Sequence, residues 1–345
     1  MKKIIFLIND LKGNGAERVV ITLAREFNDQ GHKVTIFCFN NTFDFDTSGL
    51  EINIFPIKYW RWIPRFLRGT VVSIFLDRFI INKTGGQPSL VLSNLLPCDR
   101  IMSKSKLPNV HLVLHSTQSF ERGSLDEFPE LKIYTKKPVI CVSNGVKEDY
   151  IKLFKSNKNV YRIYNPVNCN ILEDSSKAHV RDLPNNKYII HVGKFNSWKR
   201  HDLLIKAFSQ ATTKHDLLLL GIGALLESSK QLVENLGISH RVHFLGFKSN
   251  PYPYIKSADL LVLTSDFEGL GMVLLESVAL GTPAISTNCK SGPSEILPDS
   301  CLYPVNDIEA LSKLLSVSDY SIYKATLKPE FTIEYAAKKY IELAS

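Results

Sequence analysis

The stretch from Ala258 to Thr287 constrains this chain more than any other. Ala258-Asp259-Leu260-Leu261-Val262-Leu263-Thr264-Ser265 is apolar almost throughout, as a parallel strand covered on both faces has to be. Next comes Glu268-Gly269-Leu270-Gly271-Met272-Val273-Leu274-Leu275-Glu276, a glycine pair opening a helical run. The stop Ala279-Leu280-Gly281-Thr282-Pro283 and a second strand, Ala284-Ile285-Ser286-Thr287, complete one βαβ unit. In open α/β sheets ligands bind at the carboxyl ends of the strands, and a helix N-terminus there offers backbone N–H groups to an anion. Gly269 and Gly271 let a phosphate or a sugar approach the backbone. Glu276 lies about two turns further on, at a spacing that can return it to the face of Glu268. Two acids alone also suit an ordinary solvated helix; the glycines and the flanking strands argue for a ligand.

The same alternation recurs along the chain. Residues 3–9 (strand), Glu17–Gln30 (helix) and Lys33–Phe39 (strand) form a first βαβ unit, and short apolar runs follow at Leu90–Ser93, His111–His115 and Val139–Ser143. The polar segment Glu173 to Lys187 loses apolar periodicity and reads as a linker. A second series begins at Tyr188–Val192 and continues through the helix His201–Ala211, Leu217–Leu220, the helix Leu225–Leu236 and Val242–Leu245. The expected fold is therefore α/β, two Rossmann-like doubly wound domains over 1–170 and 171–328. The last segment, 329–345, contains an amphipathic helix over Thr332–Leu343.

A length of 345 residues suits two such domains. The six cysteines are scattered, with no paired metal-ligand spacing, and point to a reducing cytosol. Met1–Ile8 imitates a signal peptide, but the apolar run stops at Asn9-Asp10 and no small-residue cleavage site follows, so it is read as strand one. No run approaches about 18 apolar residues, so no transmembrane helix is expected. The 42 Lys+Arg against 34 Asp+Glu give a net charge of +8, which favours anionic partners.

Four further constellations lie at strand ends. Gly13-Asn14-Gly15-Ala16-Glu17-Arg18 occupies the place of a dinucleotide fingerprint, but Arg18 stands where a third glycine belongs and strand two ends in Phe39-Asn40 without an acid for a ribose. It reads equally as a plain strand-to-helix turn. His191-Val192-Gly193-Lys194-Phe195-Asn196-Ser197-Trp198-Lys199 brings two lysines to a carboxyl edge, where single lysines are more often solvated. Leu245-Gly246-Phe247-Lys248 ends another strand, as a turn or as a nucleobase contact. His115 ends a strand in the first half, where a structural role is also open. Separately, Lys58-Tyr59-Trp60-Arg61-Trp62-Ile63-Pro64-Arg65 interleaves cations and aromatics ahead of a helix over Thr70–Ile81, with Pro64 arguing against one smooth helix. Such a stretch suits a membrane surface, with a partly buried helix as the alternative. Stacking on single-stranded nucleic acid is ranked below both, because no nucleic-acid module accompanies it.

Glu268-x7-Glu276, with Gly193-Lys194, Lys199 and Ser291-Gly292-Pro293-Ser294-Glu295-Ile296, resembles the nucleotide-sugar site of retaining glycosyltransferases of family 4. The resemblance implies the GT-B fold, with domains facing across a cleft and the terminal helix crossing back to the N-terminal one. It implies transfer of a hexose or N-acetylhexosamine from a nucleotide sugar, taken as a UDP-sugar, to a lipid-linked saccharide of the polysaccharide or lipopolysaccharide type. No cofactor and no metal are expected. By resemblance Glu268, His115 and Lys199 serve catalysis. Gly15, Gly193, Lys194, Lys199, Phe247, Glu268, Gly269, Leu270, Gly271, Met272 and Glu276 hold the donor, with Glu268 on sugar hydroxyls, Glu276 on the ribose and the lysines on the diphosphate. Lys194 replaces a usual arginine, which keeps the charge and loses the planar fork, and Asn14 replaces a usual glycine. Trp60, Arg61, Trp62 and Arg65 are assigned to membrane or acceptor contact. The expected location is cytoplasmic, peripheral on the inner face of the cytoplasmic membrane, with no nucleic-acid partner. A sugar-nucleotide epimerase and a non-catalytic nucleotide-sugar or lipid-binding protein on the same fold are the competing readings.

Overall fold

The computed structural model describes residues 1–13, 15–57 and 63–344. It divides into two compact units, Met1–Pro166 with Pro329–Ser345, and Val167–Lys328.

The first unit runs β1 (Lys3–Ile8), α1 (Gly15–Asp29), β2 (Lys33–Cys38), β3 (Glu51–Ile54), α2 (Arg65–Thr84), β4 (Leu90–Asn94), α3 (Leu96–Met102), β5 (Val110–Leu114), α4 (Gln118–Arg122), β6 (Val139–Cys141), α5 (Asn144–Phe154) and β7 (Val160–Arg162). Its seven strands are all parallel, in the order β3-β2-β1-β4-β5-β6-β7. Helices cover both faces, which is why Ile4, Ile5, Leu7 and Ile8 of β1 are all buried. α1 buries Val19, Val20, Leu23, Ala24 and Phe27, one stripe at helical spacing. Ser143 caps α5 by accepting from the Val146 amide at 3.1 Å.

The second unit runs α6 (Cys169–Ser176), β8 (Tyr188–Val192), α7 (His201–Gln210), β9 (Asp216–Leu220), α8 (Leu226–Asn235), β10 (Val242–Gly246), α9 (Tyr252–Lys256), β11 (Leu260–Leu263), α10 (Met272–Leu280), β12 (Ala284–Thr287), α11 (Pro293–Ile296), β13 (Leu302–Tyr303) and α12 (Ile308–Leu315). Its sheet is parallel, in the order β10-β9-β8-β11-β12-β13. The final helix α13 (Ile333–Glu342) belongs to the first unit. There Tyr340 meets Phe27 edge-on at 6.4 Å, and Phe331 packs 4.6 Å from Tyr164.

Three local expectations are corrected. The expected linker begins inside α6, which Asn168 caps and Leu172 anchors in the second unit; eight residues with one buried apolar side chain show no periodicity. The helix expected over Thr70–Ile81 extends from Arg65 to Thr84, with Pro64 at its N-cap, so the proline starts the helix and does not interrupt it. The edge strands β3 and β13 and the helices α3 and α12 went unread, because each is short. Trp60, Arg61 and Trp62 lie outside the described residues, as does the side chain of Arg65. Among the described residues no helix is long and apolar enough to cross a membrane.

Cys38, Cys98, Cys141, Cys289 and Cys301 are buried and free. Burial pushes the Cys38, Cys141 and Cys289 thiols up to about 12, so they act as small apolar side chains.

The first unit also buries Asp99 completely, where it accepts from Ser93 Oγ at 2.7 Å and from Tyr134 Oη at 3.0 Å. Burial drives its carboxyl well above the ordinary value despite both bonds. A carboxyl whose pKa is higher folded than unfolded contributes stability that is complete below the unfolded value, about 3.9, and is lost as pH rises toward the folded one. Asp99→Asn keeps the acceptor and removes the titration. The Tm of this variant is therefore expected to gain on wild type as pH rises from 4 to 8. Parallel Tm–pH curves in a scanning calorimeter would contradict the assignment.

Candidate active site

Strand order reverses between β8 and β11, neighbours in the second sheet although their sequences lie far apart. The crevice outside the carboxyl ends of two such strands is where doubly wound sheets take ligands. Both predicted charged loops emerge there, Gly193–Arg200 after β8 and Thr264–Gly271 after β11.

Backbone contacts stitch the two loops together. Thr264 Oγ1 donates to the Lys199 carbonyl at 2.7 Å, and the Asp266 amide donates to the Trp198 carbonyl at 2.8 Å. Arg200, in the left-handed region at φ 51°, pairs with Asp266 at 3.2 Å and Asp202 at 3.0 Å. Asn196 Oδ1 accepts from the Lys199 amide at 3.0 Å and shapes the turn Ser197–Lys199. As a result Lys199 Nζ lies 2.5 Å from Glu268 Oε1, which also accepts from Ser265 Oγ at 2.6 Å. Both charged side chains are largely enclosed, at 22% and 13% exposure, so the ion pair is screened less than a surface pair.

Beneath this pair the loop after β8 is packed against its neighbours. The Gly193 amide donates to Leu220 O at 2.9 Å and the Phe195 amide to Ile222 O at 3.1 Å. A Cβ at Gly221 would stand 1.9 Å from Gly193 O. His191 donates from Nδ1 to Val262 O at 2.8 Å, and its ring lies 4.5 Å from that of His201, which stacks on Phe195 at 3.8 Å. Burial pushes His191 down to about 4 and His201 to about 2, so both rings are neutral at physiological pH.

α10 begins directly after Gly271 with no side-chain cap. It is apolar nearly all round and buried, as a helix between layers must be. Glu276 in its second turn is 3% exposed and accepts from Tyr252 Oη at 3.3 Å. A solvated surface acid is thereby ruled out. The chain returning at Ser291-Gly292 supports the Gly269–Leu270 loop. Ser291 Oγ donates to Gly269 O at 2.8 Å, and a Cβ at Gly292 would fall 2.3 Å from Leu270 O. Leu270 is buried and Met272 partly so, while Lys194 and Phe247, after β8 and β10, are exposed.

The remaining predicted residues belong to the first unit. Gly15 opens α1 beyond β1 and is exposed; His115 follows β5 and is partly buried. The structure thus brings Lys199 and Glu268 into contact and gathers Gly193, Lys194, Gly269–Met272 and Glu276 at one sheet edge. Ser265, Asp266, Arg200, Asn196 and Gly221 were not singled out from sequence. Gly221-Ile222-Gly223 after an apolar run was the available signal for the last. Among the described residues no group of three or more His, Cys, Asp or Glu side chains is arranged to hold a metal ion.

Comparison with known proteins agrees with this geometry. Residues 13–171 match Glycosyltransferase Family 4 and residues 174–317 match Glycosyl transferases group 1. The Campylobacter jejuni N-acetylgalactosamine-N,N'-diacetylbacillosaminyl-diphospho-undecaprenol 4-alpha-N-acetylgalactosaminyltransferase is 27% identical over 312 residues, 87% of this chain and 84% of that protein. The lipopolysaccharide 1,6-galactosyltransferase of Escherichia coli K12 is 27% identical over 329 residues, 91% and 88% of the two chains. Anabaena HepE, solved in complex with UDP and glucose, superposes with a TM-score of 0.81 at 19% identity, covering 99% of each chain. That likeness establishes the fold as GT-B, two Rossmann-like domains. Matched along both of its units, the chain belongs to the group 1 and family 4 glycosyltransferases, and it is an enzyme of glycosyl transfer.

Proposed function

We propose that this enzyme transfers a hexose or N-acetylhexosamine, with retention, from a UDP-sugar to a lipid-linked saccharide acceptor. The Lys199–Glu268 pair at the β8/β11 reversal carries the reading, because it sets a cation and a carboxylate side by side where a sugar diphosphate would enter. Lys199 and the exposed Lys194 neutralise the diphosphate, Glu268 holds sugar hydroxyls, and the buried Glu276 takes the ribose. In the transfer the acceptor hydroxyl oxygen bonds to the anomeric carbon as the bond from that carbon to the phosphate oxygen breaks. The electron pair goes to the phosphate, which takes the acceptor's proton. Charge grows on the departing diphosphate, so fixed cations there lower the barrier. The two lysines supply that charge without a divalent ion, and Gly271–Met272 present helix N–H groups to the same anion.

The acceptor class is supported by relatives whose names specify a diphospho-undecaprenol-linked saccharide and lipopolysaccharide. It is supported too by α2, where Leu67, Ile74 and Phe75, at helical spacing, are exposed just after the basic-aromatic stretch. The triple variant Trp60→Ala, Arg61→Ala, Trp62→Ala is expected to lose binding to anionic liposomes; undiminished cosedimentation would remove the membrane contact from the proposal.

The direct test is a thermal-shift panel of UDP, GDP, ADP and UDP-sugars, on wild type and Glu276→Ala, with and without EDTA. A ligand at a hundredfold its dissociation constant stabilises by about 2.7 kcal/mol. Stabilisation by one UDP-sugar, lost in the variant and indifferent to EDTA, is expected. A response to no nucleotide would overturn the donor assignment, and a response abolished by EDTA would overturn metal independence.

A further inference from the structure

The order of the first sheet reverses between β1 and β4, and β4 ends in Asn94 beside β5, which leads into His115. Asn94 is 3% exposed, and its Nδ2 lies 3.2 Å from Leu7 O and 3.1 Å from Leu92 O. Carbonyl oxygens only accept, so the amide orientation is settled with Nδ2 toward both of them. Oδ1 then faces His115 Nε2 at 2.9 Å. An amide oxygen also only accepts, so the proton of that bond sits on Nε2. Burial pushes the His115 imidazole down to about 4, which makes the ring neutral at physiological pH and leaves Nδ1 bare. This nitrogen is buried without a hydrogen-bond partner, and so is Thr117 Oγ1 two residues on. Two orphaned polar atoms at one sheet edge mark a place completed by a ligand.

We infer that Asn94 is a positioning residue that holds His115 as its Nε2–H tautomer, so that Nδ1 accepts a hydrogen bond from a hydroxyl of the saccharide bound at this edge. The inference rests on the glycosyl-transfer reading for the ligand, though not for the tautomer. A bare ring nitrogen presents a lone pair, which an anionic phosphate oxygen avoids and a hydroxyl satisfies. His115 therefore selects for the sugar portion of a ligand over its diphosphate.

Long-range proton–nitrogen NMR of the histidine rings tests both parts, with the His115 signals assigned by their loss in His115→Phe. The ligand-free wild type is expected to show a protonated Nε2 and a bare Nδ1. UDP alone should leave Nδ1 unmoved, and a UDP-sugar or saccharide acceptor should shift it toward the hydrogen-bonded range. Asn94→Ala is expected to lower kcat by about 10- to 100-fold through misplacement of the ring. Its UDP dissociation constant should stay unchanged, a split that general loss of structure would not produce. A protonated Nδ1 or an imidazolium in the free wild type at neutral pH would overturn the role of Asn94, whatever the variant does. A bare Nδ1 that answers to no saccharide, in protein still able to transfer sugar, would overturn the hydroxyl contact and leave the transfer reading intact. With the tautomer as expected and no transfer to any acceptor, the transfer reading fails and the positioning role stands.

Discussion

Lys199→Ala is expected to lower kcat for sugar transfer by about 10²–10³-fold, the usual consequence of removing one preorganised donor from developing negative charge. The loss should fall on kcat as well as on donor affinity, because charge on the diphosphate is greatest when the glycosidic bond is breaking. The same change strands Glu268, which keeps its bond from Ser265 but loses the ammonium 2.5 Å away. A partly enclosed carboxylate left without its cation costs about 1–3 kcal/mol, so Tm should fall while the fold persists. Lys199→Arg restores charge and is expected to recover part of the rate. Because the two side chains are in contact, Lys199→Ala combined with Glu268→Ala should cost less than the sum of the single changes in log kcat. Activity of Lys199→Ala within about threefold of wild type would contradict the role assigned by charge stabilisation.

Gly221→Ala is expected to have the largest effect on stability. Gly221 holds φ +147°, and an added Cβ would lie 1.9 Å from Gly193 O, a backbone atom that cannot rotate away. Gly193 O belongs to the loop that leads to Lys199, and the Gly221 amide is itself bonded to Gly246 O at 2.8 Å. Overpacking and backbone strain together predict a loss of about 3–5 kcal/mol. Gly237→Ala is the control, since Gly237 also has positive φ, +70°, but an added Cβ there meets nothing within 4 Å. The control should cost only about 1–2 kcal/mol of conformational strain. Denaturation of both variants, followed by signals from the second unit, separates clash from strain; equal losses would refute the packing account. Nucleotide stabilisation should weaken with Gly221→Ala, because the loop it displaces carries the diphosphate cations.

Much of this site was legible before any coordinates. Glu268, Gly269, Gly271 and Glu276 are close in sequence, and strand period and helix period meet at the glycines, so local pattern was enough to place them on a strand–loop–helix. His115 and Lys199 were found by the same logic, as polar residues just past apolar runs. Ser265 was quoted as the end of a strand and passed over, because a serine there is unremarkable until its hydroxyl is seen on Glu268. Arg200 and Asp266, 66 residues apart, pair only when β8 and β11 become neighbours. Asn94 and His115 are a similar case, joined by strand adjacency rather than by spacing.

The chain's periodicity by itself determined that short apolar strands alternate with amphipathic helices in two series, and which residues fall at the carboxyl ends of those strands. This follows because burial on both faces demands continuous apolar runs, and turns demand glycine, proline and small polar residues. Strand order was decided by the tertiary structure alone. A parallel crossover can place the next strand on either side of the sheet, and nothing local records which. That choice set β11 beside β8 and β4 beside β1, and from it come the Lys199–Glu268 contact and the proton on His115 Nε2.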